Sequence, residues 1–181
     1  ATLANGKKLV INALLVDNVS SAPQSFYDRY ESLSTDGDII IYNGHAGLGQ
    51  NVRALARKGD FKAGQYQIFM MNGCDTFAYV DGSLAKTRST INPDDPSGTK
   101  YMDMVTNAMP AFFSSMPTAS MALIKGLGDN AKPKTYQELF GGETMIVLTA
   151  AEWASRRGVG RFKDNIFQVW GDGGDAKTWP V

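Results

Sequence analysis

IIIYNGH at residues 39–45 and IFMMNGC at residues 68–74 share one pattern. Each is a short apolar run that ends in Asn-Gly and is followed at once by a reactive side chain. That side chain is the single histidine of the protein in the first case and the single cysteine in the second. A short apolar run bounded by glycine is typical of a buried strand that stops there. The sequence therefore predicts two core strands that carry His45 and Cys74 at their ends.

The residues between the two strands are numerous enough for one crossover helix, the connection that neighbouring parallel strands require. In an open parallel sheet the carboxyl ends of the strands lie at one edge, which is the edge where ligands bind. His45 and Cys74 are therefore expected to lie side by side in one cleft.

Apolar periodicity and helix-capping residues predict the remaining elements. The predicted strands cover residues 9–16 (central and buried), 38–42, 66–71, 144–149 and 166–170 (at an edge). The predicted helices run from Pro23 to about residue 36, from an Asn51 cap to about Gly59, over 101–113, over 119–127 and over 135–140. Alternating strands and helices imply right-handed crossovers. The predicted fold class is α/β, with a mostly parallel central sheet and helices on both faces.

The composition fits a single domain over residues 1–181. Its hydrophobic content is 43% and its formal net charge is zero, so a nucleic-acid surface, which needs a basic excess, is not expected. No apolar run approaches the ~20 residues that span a bilayer, so membrane insertion is not expected. One cysteine allows no internal disulfide. Because the chain begins at Ala1, we expect a domain excised from a longer protein, and a secreted or periplasmic parent is compatible with it.

Residues 75–99 are predicted to form a long loop, because they are rich in Pro, Gly and Asp and lack clear periodicity. The loop begins directly after Cys74, so we expect it to be a mobile or processed loop of the active site. Lys86 and Arg88 are candidate positions for self-cleavage. The alternative is an ordered surface excursion without a role.

A cysteine nucleophile needs a thiolate, an imidazole within reach and donors for the oxyanion. Cys74 would attack a carbonyl carbon while His45 accepts and returns the proton. Backbone N–H groups of Cys74, of Ala46 or Gly47, and of the neighbouring Gly73 are the candidate oxyanion donors. Glycines beside both reactive residues would let the backbone approach a peptide closely.

A strand that ends in histidine with glycine close behind, followed by a strand that ends in Gly-Cys, resembles the caspase-like (clan CD type) cysteine peptidases. This group includes caspases, legumain, gingipains and clostripain. The resemblance covers roughly residues 9–75, with 144–170 as a continuation of the sheet. It implies a three-layer sandwich and an endopeptidase acting on peptide or protein substrates. One departure is Ala46, because the group commonly has glycine directly after the histidine, and a positive φ would be costly for alanine.

Two other classes of function remain open. The domain is a non-catalytic binding or interaction module of a larger protein, or it is another thiol enzyme such as an amidase or acyltransferase. Asp75 either lines a pocket for a basic side chain or is a turn residue. Asn43, Asp17 and Asn18 are candidates for orienting His45, and Asn43 is also a candidate for the substrate pocket.

Neither a metal nor a cofactor is expected. One histidine and one cysteine fall short of the four ligands of a structural zinc site. The chain has no dinucleotide-binding glycine motif and no phosphate-binding loop with its lysine.

Overall fold

The computed structural model describes residues 1–3, 5–129, 132, 134–140, 145–148 and 165–171. Within these ranges the strands are β1 (Ile39–Asn43), β2 (Gln67–Asn72), β3 (Met102–Asn107), β4 (Met145–Leu148) and β5 (Asn165–Gly171). The helices are α1 (Gln24–Ser34), α2 (Gln50–Lys58), α3 (Thr76–Tyr79), α4 (Ser83–Ile91), α5 (Met116–Gly128) and α6 (Tyr136–Phe140).

The five strands form one mixed sheet in the order β1-β2-β3-β5-β4. β1, β2 and β3 are parallel to one another, whereas β5 is antiparallel to β3 and β4 is parallel to β5. The expectation of a mostly parallel sheet therefore holds for three strands only. The expected edge position of the last strand is wrong, since β5 lies between β3 and β4 and pairs with both.

Side chains of β2 alternate between two apolar layers. Phe69 and Met71 lie in a cluster with side chains of α1, α2 and α4. Ile68 and Met70 lie in a second cluster with side chains of α5 and α6. Helices thus cover both faces, which explains why every residue of β2 is buried. Each fully buried apolar side chain of this kind contributes about 1.5–3 kcal/mol.

Three helices and two strands lie close to their predicted positions. They are α1, α2 and α5 among the helices and β1 and β2 among the strands. The predicted cap of α2 is wrong, because Gly49 precedes the helix with φ of 86° and Asn51 lies inside it. Asn51 is 4% exposed. Its side chain accepts from the Ser20 N–H and donates to the His45 carbonyl.

The predicted central strand over residues 9–16 is wrong. This segment forms no strand, and Leu15 is fully exposed while Val10 and Ile11 are 73% and 63% exposed. The chain before it pairs with itself instead, through a bridge between Thr2 and Lys8. An apolar run predicts burial, but a strand also needs a partner for its backbone groups. Within the described sheet, β1 is an edge strand and nothing pairs with its outer side.

The predicted helix over 101–113 is also wrong, because its first half is β3. The methionines and valine of this stretch are spaced in a way that fits a helix as well as a doubly buried strand. All six residues of β3 are buried between its neighbours and the two helical layers. Pairing with β2 on one side and with β5 on the other makes this stretch a strand and not a helix.

Residues 75–99 are not a loop throughout, because they contain α3 and α4. Arg88 on α4 is fully buried and donates to Gln67 Oε1 at 2.6 Å and to the Tyr101 carbonyl at 2.9 Å. It also contacts the Gln65 carbonyl. A buried arginine anchored in this way is not accessible to a protease, so the candidate cut after Arg88 is withdrawn, whereas Lys86 is exposed.

The predicted strand over 144–149 corresponds to β4 and the helical turn over 135–140 to α6. Residues 144 and 149, at the two ends of the predicted strand, lie outside the described residues.

Candidate functional site

Three consecutive parallel strands end in asparagine, and each is followed by a turn. Asn43 of β1 is in register with Asn72 of β2, and Asn107 ends β3. The Asn72 carboxamide donates to Asn43 Oδ1 at 2.9 Å, and the Gly44 N–H donates to the Asn72 carbonyl at 3.1 Å. The turns that carry His45 and Cys74 therefore leave the sheet side by side, as the paired pattern predicts.

Gly73 allows the two turns to touch. A Cβ added at this position would lie 2.6 Å from the Gly44 carbonyl oxygen and 3.5 Å from the Ala46 nitrogen. The glycine was expected to make room for a substrate backbone. In the structure it makes room for the backbone of the neighbouring turn.

The turn of His45 is fixed through its backbone. The His45 carbonyl accepts from the Tyr42 hydroxyl at 2.6 Å and from Asn51 Nδ2 at 2.8 Å. Burial raises the pKa of Tyr42, and the hydrogen bond from Asn51 offsets part of this rise. The positive φ angles fall on Gly47 (59°), Leu48 (51°) and Gly49 (86°). Ala46 has no positive φ, so alanine after the histidine carries no backbone strain here.

The imidazole of His45 lies on the surface. Its ring packs edge-on against Phe113, with 4.8 Å between the ring centroids. In the described part of the chain no side chain hydrogen-bonds to this imidazole. Asn18 instead caps the turn at residues 19–21 by accepting from the Ser20 N–H. Neither Asn18 nor Asp17 orients the ring.

Asn43 has a structural role that the sequence did not indicate. Its Oδ1 accepts from Asn72 and from the Ser120 hydroxyl of α5, both at 2.9 Å. These bonds tie the end of β1 to β2 and to α5. The Asn43 oxygen is therefore used within the fold, and a contact between this residue and substrate stays a prediction.

Cys74 is partly buried and has a free thiol. The thiol donates to the Ala111 carbonyl, with 3.7 Å between sulfur and oxygen. The next residue, Asp75, has a left-handed backbone with φ of 50° and ψ of 34°, and its N–H donates to the Met109 carbonyl. A third segment, the post-β3 loop at residues 108–115, thus contacts both reactive residues, through Ala111 and Phe113.

The two turns that carry His45 and Cys74 contain free backbone donors. Within the described residues, the N–H groups of Cys74, Ala46 and Gly47 donate to no acceptor. The N–H of Gly73 is not available, because it donates to Asn107 Oδ1 at 3.0 Å. Gly73 is therefore removed from the candidate oxyanion donors.

The sequence analysis does not indicate Asn107 or the post-β3 loop, because the spacing of residues 101–113 predicts a helix there. A usable signal is present: MVTNA at residues 104–108 ends an apolar run in Asn followed by a small residue. It partly matches the pattern that precedes His45 and Cys74, with threonine before the asparagine and alanine in place of glycine.

A surface depression lies elsewhere on the described protein. Its volume is about 450 Å³, and α5 alone lines it, with Pro117, Thr118, Met121, Ala122 and Lys125. Neither His45 nor Cys74 lines it. We therefore place the candidate site at the strand ends on chemical grounds and not on the size of a cavity.

Comparisons with protein-family models, with curated proteins and with solved structures find no match to this chain. Over the described residues, no cluster of three or more His, Cys, Asp or Glu side chains could hold a metal ion. In the same part of the chain, no helix is both long and apolar enough to cross a membrane.

Proposed function

We propose that the domain is a caspase-like cysteine endopeptidase in which Cys74 is the nucleophile and His45 the general base. One observation carries the proposal: Asn43 and Asn72 are register partners in the adjacent parallel strands β1 and β2. His45 comes two residues after Asn43, and Cys74 comes two residues after Asn72. A nucleophile and its base need this kind of proximity. The family resemblance of the two strand-end motifs supports the same choice.

In the proposed reaction, the Cys74 thiol gives its proton to His45 and the sulfur attacks the scissile carbonyl carbon. The N–H groups of Cys74 and of Ala46 or Gly47 are the donors available for the developing oxyanion. His45 then protonates the leaving amine. Water, activated by the same imidazole, releases the acyl group from the sulfur and restores the thiol.

Before substrate binds, the thiol donates its hydrogen to the Ala111 carbonyl. The substrate, or a movement of the post-β3 loop, must replace this contact before His45 can take the proton.

The experiment is labelling with peptide acyloxymethyl ketones, followed by mass mapping and by assays on a peptide library. We expect covalent labelling at Cys74 and peptide hydrolysis. Cys74→Ala and His45→Ala should both be inactive and folded, with unchanged far-UV circular dichroism. Full turnover by Cys74→Ala would contradict the proposal, and labelling without any peptide hydrolysis would favour an amidase or acyltransferase.

The second candidate is a non-catalytic interaction module of a larger protein. Two observations favour it: the Cys74 thiol donates to the Ala111 carbonyl, and no described side chain hydrogen-bonds to the His45 imidazole. In that case Cys74 resists every peptide ketone, and Cys74→Ala retains binding to the partner of the larger protein.

A further inference from the structure

We infer that Asn107 is a positioning residue that holds the Cys74 turn in its reactive geometry. This inference rests on the proposed function. Asn107 ends β3 beside the end of β2, and its side chain is fully buried.

Asn107 contacts the Cys74 turn on both sides of the cysteine. Its Oδ1 accepts from the N–H of Gly73, the residue before Cys74, at 3.0 Å. Its own N–H donates to the hydroxyl of Thr76, two residues after Cys74, at 2.8 Å. The Thr76 hydroxyl in turn donates to the Met71 carbonyl at 2.5 Å. One residue of the third strand thus closes the turn at both of its ends.

The turn needs to be held, because Asp75 has a left-handed backbone with φ of 50°. A non-glycine residue in this region is strained, and such strain persists only where the surrounding contacts impose it. Thr76 is fully buried, so its hydroxyl is kept in place for these two bonds. The contacts of Asn107 and Thr76 are placed to impose the conformation on the residue that follows the nucleophile.

The Asn107 carboxamide is not explained by stability alone. In the described part of the structure, its Nδ2 is buried without a hydrogen-bond partner, and so is Oδ1 of Asn72. A buried donor without a partner is destabilising. The Asn107 side-chain oxygen accepts the hydrogen bond from the Gly73 N–H, whereas the buried Nδ2 lowers the stability of the fold.

Positioning acts on the direction of the Cys74 N–H and of the thiol. The Gly73 N–H points at Asn107, so the next peptide plane, which carries the Cys74 N–H, is oriented by that bond. Misplacement of a reacting group by about 1 Å costs up to about a hundredfold in rate. Loss of the Asn107 acceptor should therefore impair reactions that need an aligned carbonyl, while the intrinsic reactivity of the thiol changes little.

The test compares two reagents on Cys74. Iodoacetamide reports the thiol alone, whereas a peptide acyloxymethyl ketone also requires the oxyanion donors and His45. For Asn107→Ala we expect the peptide ketone rate to fall about ten- to a hundredfold, with the iodoacetamide rate within about twofold of wild type. Asn107→Asp keeps the acceptor for the Gly73 N–H and should retain most of the peptide ketone rate.

Asn92→Ala is the matched control. Asn92 is also buried, and its Oδ1 also accepts from a glycine N–H, that of Gly64. Its other bond is to the Arg88 carbonyl of α4. This variant should lose stability comparably to Asn107→Ala but keep the wild-type peptide ketone rate.

Three results would overturn the inference while leaving the proposed function intact. The first is an unchanged peptide ketone rate in Asn107→Ala, the second is an equal loss in Asn92→Ala, and the third is a loss in Asn107→Asp as large as in Asn107→Ala. A wild-type Cys74 that reacts with iodoacetamide but with no peptide ketone would overturn the proposed function itself, and the positioning role with it.

Discussion

At the scale of the residue, two positions beside the nucleophile are set by backbone geometry. Asp75 is one of two described non-glycine residues with a positive φ, and its N–H donates to the Met109 carbonyl. Aspartate and asparagine tolerate this region better than other side chains, and β-branched residues tolerate it worst. The turn alternative for Asp75 therefore has a physical reason, and a pocket role stays a prediction.

The first prediction concerns Asp75. Asp75→Asn should leave the free energy of unfolding nearly unchanged, whereas Asp75→Val should lower it by about 1–3 kcal/mol, since valine is strained at this φ. Urea denaturation of both variants measures the difference. Equal stability of the two would show that the backbone here is not left-handed.

The second prediction concerns Gly73. Gly73→Ala should lower the free energy of unfolding by about 1–3 kcal/mol, because the added Cβ collides with the Gly44 carbonyl oxygen. Gly82→Ala is the control, since a Cβ there meets no atom within 4 Å. The same urea titration applies. A Gly73→Ala variant as stable as Gly82→Ala would contradict the close contact of the two turns.

At the scale of the element, the segment at 9–16 shows that an apolar sequence is not always buried. Leu15 is fully exposed, whereas Leu84 on α4 is 1% exposed. What differs is whether neighbouring elements cover them.

The third prediction tests that difference. Leu84→Ala should cost about 2–5 kcal/mol of unfolding free energy through lost contacts and a cavity. Leu15→Ala should change it by no more than about 0.5 kcal/mol. Thermal or urea unfolding of this matched pair gives the answer. A loss of several kcal/mol in Leu15→Ala would show that Leu15 is buried, as the predicted central strand over 9–16 requires.

The fourth prediction concerns α4, which the sequence indicated only as a loop. Burial lowers the pKa of Arg88, and the nearby Asp95 offsets part of this effect. Arg88→Met should cost about 2–4 kcal/mol, because one buried and two partly buried acceptors lose their donor. Lys86→Met, at an exposed position of the same helix, should stay within about 0.5 kcal/mol of wild type. Comparable effects of the two substitutions on the urea midpoint would contradict the position of α4.

At the scale of the whole molecule, the helical layer formed by α1, α2 and α4 is joined by hydrogen bonds as well as apolar contacts. The buried Tyr30 hydroxyl of α1 donates to the Leu55 carbonyl of α2 at 3.0 Å. Burial raises the pKa of Tyr30 well above the usual tyrosine value of 10.0. The folded state therefore retains a proton that the unfolded state releases.

The fifth prediction follows from the sign of that shift. The stabilisation is complete below the tyrosine value of the unfolded chain, and it is lost as the pH rises from 10.0 toward the raised folded value. Tyr30→Phe should cost about 1 kcal/mol at neutral pH, from the lost hydrogen bond. Above pH 10 its stability should fall less steeply than that of wild type. Urea midpoints from pH 7 to 11 measure both slopes, and parallel slopes would contradict the prediction.

The local sequence by itself determined the elements around the two reactive residues. β1, β2, α1 and α2 were predictable because short apolar runs, Asn-Gly ends and helical periodicity are local signals. The adjacency of the His45 and Cys74 turns followed from the repeated pattern and the rule that parallel strands share an edge. The backbone details did not follow, since Gly73 serves the neighbouring turn and the positive φ falls on Gly47 and not on Ala46.

Only the tertiary structure decided the elements whose sequence fits two conformations. Residues 102–107 form a strand because β2 and β5 pair with them, and 9–16 form none because no described strand pairs there. Asn107 reaches the Cys74 turn for the same reason, through a neighbour in the sheet and not in the chain. Backbone hydrogen bonds and burial between distant segments outweigh local propensity. The sequence of one segment does not identify the distant segments that pair with it.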